Sequence, residues 1–149
     1  PFIYYGNEIA QPQGPHRGDT RHRPPPGWAE VTLQRDDPNS LWHWHRRLIQ
    51  LRHDHASLRR GKAHFLETDA GPDVLALWRE AEGDRTLTLF SASAEPLPQF
   101  TVQLPADITG QPAAWVLGEG PLPDREGRSL KLGPLAPFES KLIQWSGAR

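Results

Sequence analysis

Carboxylates and histidines are the side chains of this 149-residue sequence with the widest chemical use. Glu8, Asp36 and Asp37 are acids of the kind that pair for acid/base catalysis or bind Ca²⁺. They are scattered along the chain, and Asp37 stands directly before Pro38, where a helix N-cap is expected. Three scattered carboxylates are not a ligand pattern, so neither a catalytic acid pair nor a metal site is predicted from them.

Seven histidines raise the question of a metal site a second time. His43 and His45 are two residues apart, as are His53 and His55, and all four fall in a predicted helix. Side chains two residues apart on a helix do not face each other, so neither pair is expected to share a ligand. Solvated or partly buried histidines are predicted instead, and His55, on the apolar stripe, is interpreted as a core histidine. No metal and no cofactor is expected.

Composition excludes several classes of function. The formal net charge is −1 and the sequence pI is about 6.8, which gives no overall attraction to nucleic acid or to anionic membranes. Cysteine is absent, which excludes disulfides and thiolate metal sites. No apolar run approaches the roughly 18 residues that span a bilayer, and no signal peptide is visible. The location stays open, with the cytoplasm slightly favoured by these features.

The strongest predicted element is one amphipathic helix over residues 38–60. Arg59 and Arg60 lie in its last turn, where cations favour the helix dipole, and Gly61 follows as the expected stop. The helix is rich in arginine, but the neutral pI and the lack of a nucleic-acid motif favour a solvated outer face over nucleic-acid binding. Residues at spacings of three and four form one apolar stripe: Leu41, Trp44, Leu48, Leu51, His55 and Leu58.

Two segments precede this helix. Phe2–Tyr5 is a continuous β-branched and aromatic run that Gly6 ends, and such a run predicts a strand buried on both faces. A strand of this kind at the first residues has no preceding strand to pair with, so we expect the sequence to be a piece of a larger protein. Residues 11–36 are polar and rich in proline, and they predict a long loop.

After Gly61 the hydrophobic period changes from that of a helix to that of a strand. Short alternating segments are separated by turn signals such as Gly71-Pro72 and Glu82-Gly83-Asp84, which is typical of an antiparallel sandwich. Trp78 and Trp145 lie in such segments and are interpreted as core residues. The predicted strands lie near residues 63–68, 73–80, 86–92, 99–104, 113–117, 129–132 and 138–145.

The order of these segments resembles the C-terminal portion of an α-amylase-family glycoside hydrolase. Pro1–Ile9 resembles the last strand of the family's (β/α)8 barrel and its exit, P-x-I-Y-Y-G-x-E-I-G, with Ala10 in place of the final glycine. Arg23-x-Pro25-x-x-Trp28 resembles the R-T-P-M-Q-W segment of the branch that contains α-glucosidases, oligo-1,6-glucosidases and trehalose synthases.

Two further segments carry the resemblance into the long helix. Residues 31–41 resemble the V-E-A-Q-x-x-D-P-x-S-L start of the eighth barrel helix, and residues 46–52 match the R-R-L-I-x-L-R that follows it, with His45 in place of the usual tyrosine. The loop between Trp28 and Val31 is shorter than in the family. The resemblance therefore covers the whole chain in order.

The resemblance implies an α+β chain with two parts. Residues 1–61 would be the last β/α unit of a TIM (β/α)8 barrel, and residues 62–149 an antiparallel all-β sandwich, the family's domain C. The implied activity is that of a retaining α-glucosidase-like glycoside hydrolase acting on α-linked glucosides in carbohydrate metabolism. The family's catalytic carboxylates follow the fourth, fifth and seventh barrel strands, which this sequence lacks. The resemblance therefore implies that this chain contains no catalytic residue and has no activity alone.

The resemblance also implies binding residues. Tyr5, Asn7 and Glu8 follow the last strand, at the end of a barrel where active sites are built, and would form the floor or rim of a sugar pocket. Arg23 would line its entrance. The alternative is that these side chains only brace the strand exit and the loop. The expected partners are an α-glucoside or oligosaccharide, the remainder of the barrel, and a second copy of the chain.

A second interpretation remains open: a non-catalytic β-sandwich module that binds carbohydrate or protein and carries an N-terminal helical arm. The sequence upstream of Pro1 discriminates between the two, because about seven further β/α units would establish the enzyme. Specificity for α-1,4 bonds, α-1,6 bonds, sucrose or trehalose synthesis, and hydrolysis as against transfer, would reside mainly in segments outside this sequence.

Overall fold

A computed structural model describes residues 3–145 of the chain. The described chain divides into two compact units, one up to Leu51 and the other from Arg52 onward. Within the described residues, no helix combines the length and the apolar character needed to cross a membrane.

The first unit is mainly helical. It contains two short 3-10 helices, Asn7–Ile9 and Gly18–His22, then helix α1 (Trp28–Asp36) and most of helix α2 (Leu41–Asp54). Ile9 is buried, whereas neither α1 nor α2 has a fully buried residue.

The strand predicted over Phe2–Tyr5 is absent from its described part, so that prediction is wrong there. Phe2 lies outside the described residues, Ile3 and Tyr4 have no regular secondary structure, and Tyr5 begins a turn. A strand is stable only when its backbone groups pair with a neighbouring strand, and none of the described strands pairs with this segment. The β-forming composition of the run therefore does not produce a strand.

The long loop predicted over residues 11–36 is partly wrong as well, because its last third is helix α1. The sequence of α1 contains neither glycine nor proline after Gly27, so nothing in it opposes a helix. Thr32 donates its hydroxyl hydrogen to the Trp28 carbonyl at 3.1 Å, and Gln34 donates to Glu30 at 3.3 Å. Both pairs have the i,i+4 spacing of neighbours on a helix.

The single helix predicted over residues 38–60 is two helices. Helix α2 ends at Asp54 and helix α3 spans Ala56–Arg60. Between them His55 has an extended backbone, with φ −109° and ψ 115°. The apolar stripe thus continues through a break that hydrophobic periodicity cannot detect.

The start of α2 also differs from the prediction that Asp37 is its N-cap. Ser40 precedes the first helical residue, and its hydroxyl oxygen accepts a hydrogen bond from the His43 amide at 3.4 Å. Asp37 instead accepts a hydrogen bond from the Asn39 amide at 2.9 Å, which forms a local turn ahead of the helix.

The second unit contains α3 and eight antiparallel strands among its described residues. Five strands form one sheet in the order β1-β2-β3-β8-β5, and three form another in the order β4-β7-β6. The strands are β1 (Lys62–Leu66), β2 (Val74–Ala81), β3 (Asp84–Ser91), β4 (Phe100–Gln103), β5 (Pro112–Leu117), β6 (Asp124–Glu126), β7 (Ser129–Leu132) and β8 (Ser140–Trp145).

Both sheets contribute to one hydrophobic core, and in strands such as β2 and β4 alternate residues are buried in it. Leu87 and Leu89 of β3 are fully buried, as is Val102 of β4 in the other sheet. Trp78 and Trp145 meet edge-to-face with ring centroids 5.3 Å apart, which confirms their interpretation as core residues.

The antiparallel organisation predicted after Gly61 is confirmed. All seven predicted strands are present, each within two residues of its predicted ends. Strand β6 was missed, because its three residues, Asp124-Arg125-Glu126, are all charged and carry no alternation. The assignment of residues 1–61 and 62–149 to a barrel unit and a separate domain stays a prediction.

Candidate functional site

A tight turn positions three of the four candidate binding residues. Gly6 has φ 87°, and an added Cβ there would lie 2.8 Å from the Gln11 Cβ, so the turn requires glycine. The backbone amide of Gln11 donates to the Gly6 carbonyl at 2.8 Å, which closes the turn around Asn7 and Glu8. Tyr5 lies at its start.

A cavity of about 230 Å³ lies against this turn, wholly within the first unit. The Tyr5 hydroxyl donates to the Pro24 carbonyl at 3.2 Å. The side-chain amide of Gln11 donates to the Pro24 and Pro25 carbonyls at 3.1 and 2.9 Å. These bonds tie the turn to the proline-rich segment. The cavity is lined by Tyr4, Tyr5, Gly6, Asn7, Gln11, Pro12, Gln13, Arg21, His22 and Pro24.

The structure brings only two of the four predicted residues to this cavity. Tyr5 and Asn7 line it, whereas Glu8 and Arg23 do not. Arg23 instead forms an exposed ion pair with Asp19 at 3.4 Å. Glu8 is half-buried, and its Oε2 atom has no hydrogen-bond partner among the described residues.

Gln11, Arg21 and His22 are cavity residues that the sequence did not indicate. Arg21 is brought there by the hydrogen bond from the Gly14 amide to its carbonyl, at 2.8 Å. That bond joins two residues of a segment that does not form one regular helix or strand along its length, so hydrophobic periodicity in the sequence gives no sign of it. At about 230 Å³ the cavity is below the roughly 300 Å³ at which ligand pockets begin.

Tyr5 is suited to donating a hydrogen bond rather than to acting as a base. Desolvation raises the pKa of Tyr5, and the neighbouring Tyr4 phenol raises it further, while Arg23 acts in the opposite direction. The two tyrosine rings lie with centroids 4.6 Å apart. The Tyr5 hydroxyl therefore stays protonated at neutral pH.

A second constellation, in the second unit, contains a serine, a histidine and an aspartate. The Ser57 hydroxyl donates to Asp84 Oδ2 at 2.7 Å and lies 3.0 Å from the Thr86 hydroxyl. His55 Nδ1 lies 3.3 Å from Asp84 Oδ1. In a nucleophilic triad the histidine lies between serine and carboxylate, whereas here the carboxylate lies between serine and histidine.

This arrangement is structural. Ser57 is fully buried, so no substrate reaches its hydroxyl. The Asp84 carboxylate, which accepts the hydrogen bond from that hydroxyl, is a weaker base than imidazole. Desolvation tends to raise the pKa of Asp84, but hydrogen bonds from the Ser57 hydroxyl and amide, and from His55, outweigh it and lower the pKa overall. Asp84 is therefore ionised and held by its partners.

The part of the chain that the structure describes contains no candidate metal site. No three histidine, aspartate or glutamate side chains of residues 3–145 are placed to hold a metal ion.

Comparison with known proteins gives one curated relative and a set of similar structures. No family model matches the chain. Trehalose synthase of Thermus thermophilus is 29% identical over 173 aligned positions, which cover 90% of this chain and 17% of that protein.

The similar structures support the same fold. A MutB variant solved in complex with glucose superposes with a TM-score of 0.57 at 24% identity, over 78% of this chain and 20% of that one. Isomaltulose synthase PalI from Klebsiella sp. LX3 superposes with a TM-score of 0.55 at 20% identity, over 77% of this chain and 19% of that one. This chain thus spans about a fifth of the length of the proteins that it matches. These matches confirm the resemblance that the ordered motifs indicated, and the chain is similar to the C-terminal portion of α-amylase-family glycoside hydrolases.

Proposed function

We propose that this chain is the C-terminal part of a retaining α-glucosidase-like glycoside hydrolase that acts on α-linked glucosides. The catalytic carboxylates would lie on segments outside this sequence. The observation that carries the proposal is the match to a trehalose synthase over 90% of the chain. The motifs quoted above run through the same stretch in the family's order.

Residues 1–61 would be the closing β/α unit of the barrel, and residues 62–149 its domain C. Exposed apolar side chains on α2 support the first assignment: Trp44 is 37% exposed and Leu48 40% exposed. A helix that covers a barrel wall needs such a stripe, and without the wall the stripe faces water. The same exposure supports self-association of the chain when it is produced alone, which sedimentation equilibrium would measure.

Tyr5, Asn7, Glu8 and Arg23 would belong to the sugar pocket of the longer enzyme. The cavity beside Tyr5 and Asn7 is the observation behind this assignment, and in the longer enzyme further walls would enlarge it enough to enclose a sugar. Glu8 does not line that cavity, but its Oε2 atom is buried without a hydrogen-bond partner among the described residues. A buried carboxylate oxygen without a partner is costly, which favours a donor supplied by the rest of the enzyme or by a sugar hydroxyl. Arg23, on the exposed side of the segment, would lie at the entrance.

The test begins with the coding sequence upstream of Pro1. We expect about seven β/α units that carry the three family carboxylates. The joined polypeptide should hydrolyse a chromogenic α-glucoside, and NMR should detect the α-anomer as the first product, as retention requires. The 149-residue chain alone should match the buffer blank. An upstream sequence without barrel units would instead support the non-catalytic binding module, and turnover by the chain alone would overturn the proposal.

Residue roles are tested in the joined enzyme. Glu8→Gln should lower kcat/KM by about tenfold or more, because a hydrogen bond to a charged group contributes about 1.5–3 kcal/mol. Glu30→Gln, a matched change on the exposed surface of α1, should leave kcat/KM unchanged. Equal effects of the two changes would contradict the role proposed for Glu8.

A further inference from the structure

The break between α2 and α3 has no cause in its own sequence. Residues 53–60 read His-Asp-His-Ala-Ser-Leu-Arg-Arg, with neither proline nor glycine. These are the two residues that usually interrupt a helix. The apolar stripe also continues through the break, from Leu51 to Leu58. Within the segment, the Arg52 guanidinium bonds the Leu58 and Arg59 carbonyls across the break, and the remaining contacts at the break come from the strands against which the segment packs.

The hydrogen bonds at the break point to Asp84. In a continuous helix the Ser57 amide would donate to the His53 carbonyl four residues earlier. Here it donates to Asp84 Oδ2 at 2.9 Å. The released His53 carbonyl accepts a hydrogen bond from the Arg59 guanidinium. Both backbone groups of that one helical hydrogen bond, the Ser57 amide and the His53 carbonyl, therefore have new partners.

Helix α3 is held to the sheet at both ends. Asp84 lies at its N-terminus, and the Arg79 guanidinium of β2 lies 3.3 Å from the Leu58 carbonyl and 3.5 Å from the Gly61 carbonyl. An anion at the N-terminus and a cation at the C-terminus both suit the helix dipole. A helix of five residues is unstable by itself, so these side chains are needed to maintain it.

We propose that Asp84 is a latch that sets the conformation of the chain at His55. While its carboxylate binds Ser57, residues 41–54 and 56–60 are separate helices. When the carboxylate is removed, the Ser57 amide returns to the His53 carbonyl and the two helices become one. The lowered pKa of Asp84 is consistent with this role, because it reflects the same hydrogen bonds from Ser57.

The first test removes the latch and follows His55 by NMR. In the full chain, the Cα chemical shift of His55 should move from the extended to the helical range in Asp84→Ala. Asp107→Ala, which changes an exposed aspartate of the same unit, should leave it unchanged. An extended His55 in Asp84→Ala, or unfolded shifts for residues 56–60 alone, would overturn the proposal. Asp84→Val, which also removes both acceptor oxygens and suits a strand position, serves if Asp84→Ala does not fold, and the same outcomes apply to it.

The second test locks the broken state. Ala56 is the first residue of α3, where proline is favoured, and the extended His55 before it is the conformation that a following proline prefers. In a continuous helix the same proline would remove a hydrogen bond. Ala56→Pro alone should therefore keep the wild-type shifts. Combined with Asp84→Ala it should return the His55 shift to the extended range. A helical His55 in the double variant would contradict the latch.

Discussion

The Asp84 carboxylate accepts two hydrogen bonds from the single residue Ser57, one from its amide at 2.9 Å and one from its hydroxyl at 2.7 Å. Ser57 is 0% exposed, so neither donor has access to water as a substitute partner. The two residues are 27 positions apart in sequence. Their contact fastens helix α3 to the start of β3, and its loss should be measurable as a loss of stability.

Acid should weaken the second unit through Asp84. Because the pKa of Asp84 is lower in the folded chain than in the unfolded chain, its contribution to stability is present above the unfolded pKa. That contribution is lost as the pH falls through the folded pKa. The free energy of unfolding of the wild type should therefore exceed that of Asp84→Asn by about 1–3 kcal/mol at about pH 6. The difference should shrink below about pH 4.

Urea titrations of both proteins from about pH 6 downward measure this difference. His55 is the titratable side chain that contacts Asp84, at 3.3 Å, so His55→Gln provides a background in which only the carboxylate changes charge. If the free-energy difference between the wild type and Asp84→Asn stays constant with pH, folding does not shift the pKa of Asp84 and the prediction is wrong.

Leu87 should be among the most costly core positions. It is 0% exposed in the central strand β3, so Leu87→Ala leaves a cavity and should lower the free energy of unfolding by about 2–5 kcal/mol. Leu75, on β2, is 46% exposed, and Leu75→Ala should cost less than about 1 kcal/mol. Thermal unfolding of the two variants compares them directly, and equal losses would mean that the assignment of the buried face is wrong.

The sheets could be predicted from the sequence because alternation is a local signal. In β3, Leu87 and Leu89 alternate with Thr86 and Thr88, and the order of apolar and polar residues alone indicates that the two leucines turn toward the core. The turns at Gly83 and Gly127 then separate the strands. Long-range information is not needed to place strands of this kind, only to pair them.

The helical part could be predicted less well, because its details depend on distant residues. Periodicity through Leu51, His55 and Leu58 predicts one helix, whereas the structure has a break at which the Ser57 amide donates to Asp84, on a strand 27 residues further along the chain. The candidate site shows the same limit. Tyr5 and Asn7 were identified through a resemblance, whereas the approach of Arg21 to the same cavity depends on how a proline-rich segment folds back.

Replacement of Gly61 by alanine should destabilise the chain. The reason is a steric clash and not a left-handed backbone conformation after the helix. A glycine after a helix usually provides a left-handed conformation, but Gly61 has φ −62°. An added Cβ would instead clash with the Ser57 carbonyl oxygen. Gly61→Ala should therefore lower the free energy of unfolding by about 1–3 kcal/mol through overpacking. Lys62→Ala, at the next and exposed position, should change it by less than about 0.5 kcal/mol. Chemical denaturation of both variants provides the comparison.

Trp44 should matter more in the longer enzyme than in this chain, a prediction that rests on the proposed function. In the chain its side chain is 37% exposed, so Trp44→Ala should cost less than about 2 kcal/mol. Against a barrel wall the same ring would be fully buried, and its truncation should cost about 3–5 kcal/mol. The measurement is the loss in melting temperature for Trp44→Ala in each protein.

Trp28→Ala is the matched control, since Trp28 is 72% exposed and lies on α1 rather than on the apolar stripe. Its effect should be small in the chain alone. If the cost of Trp44→Ala is the same in both proteins, then α2 does not cover a barrel wall, because burial against such a wall must add the transfer free energy of the newly covered ring surface.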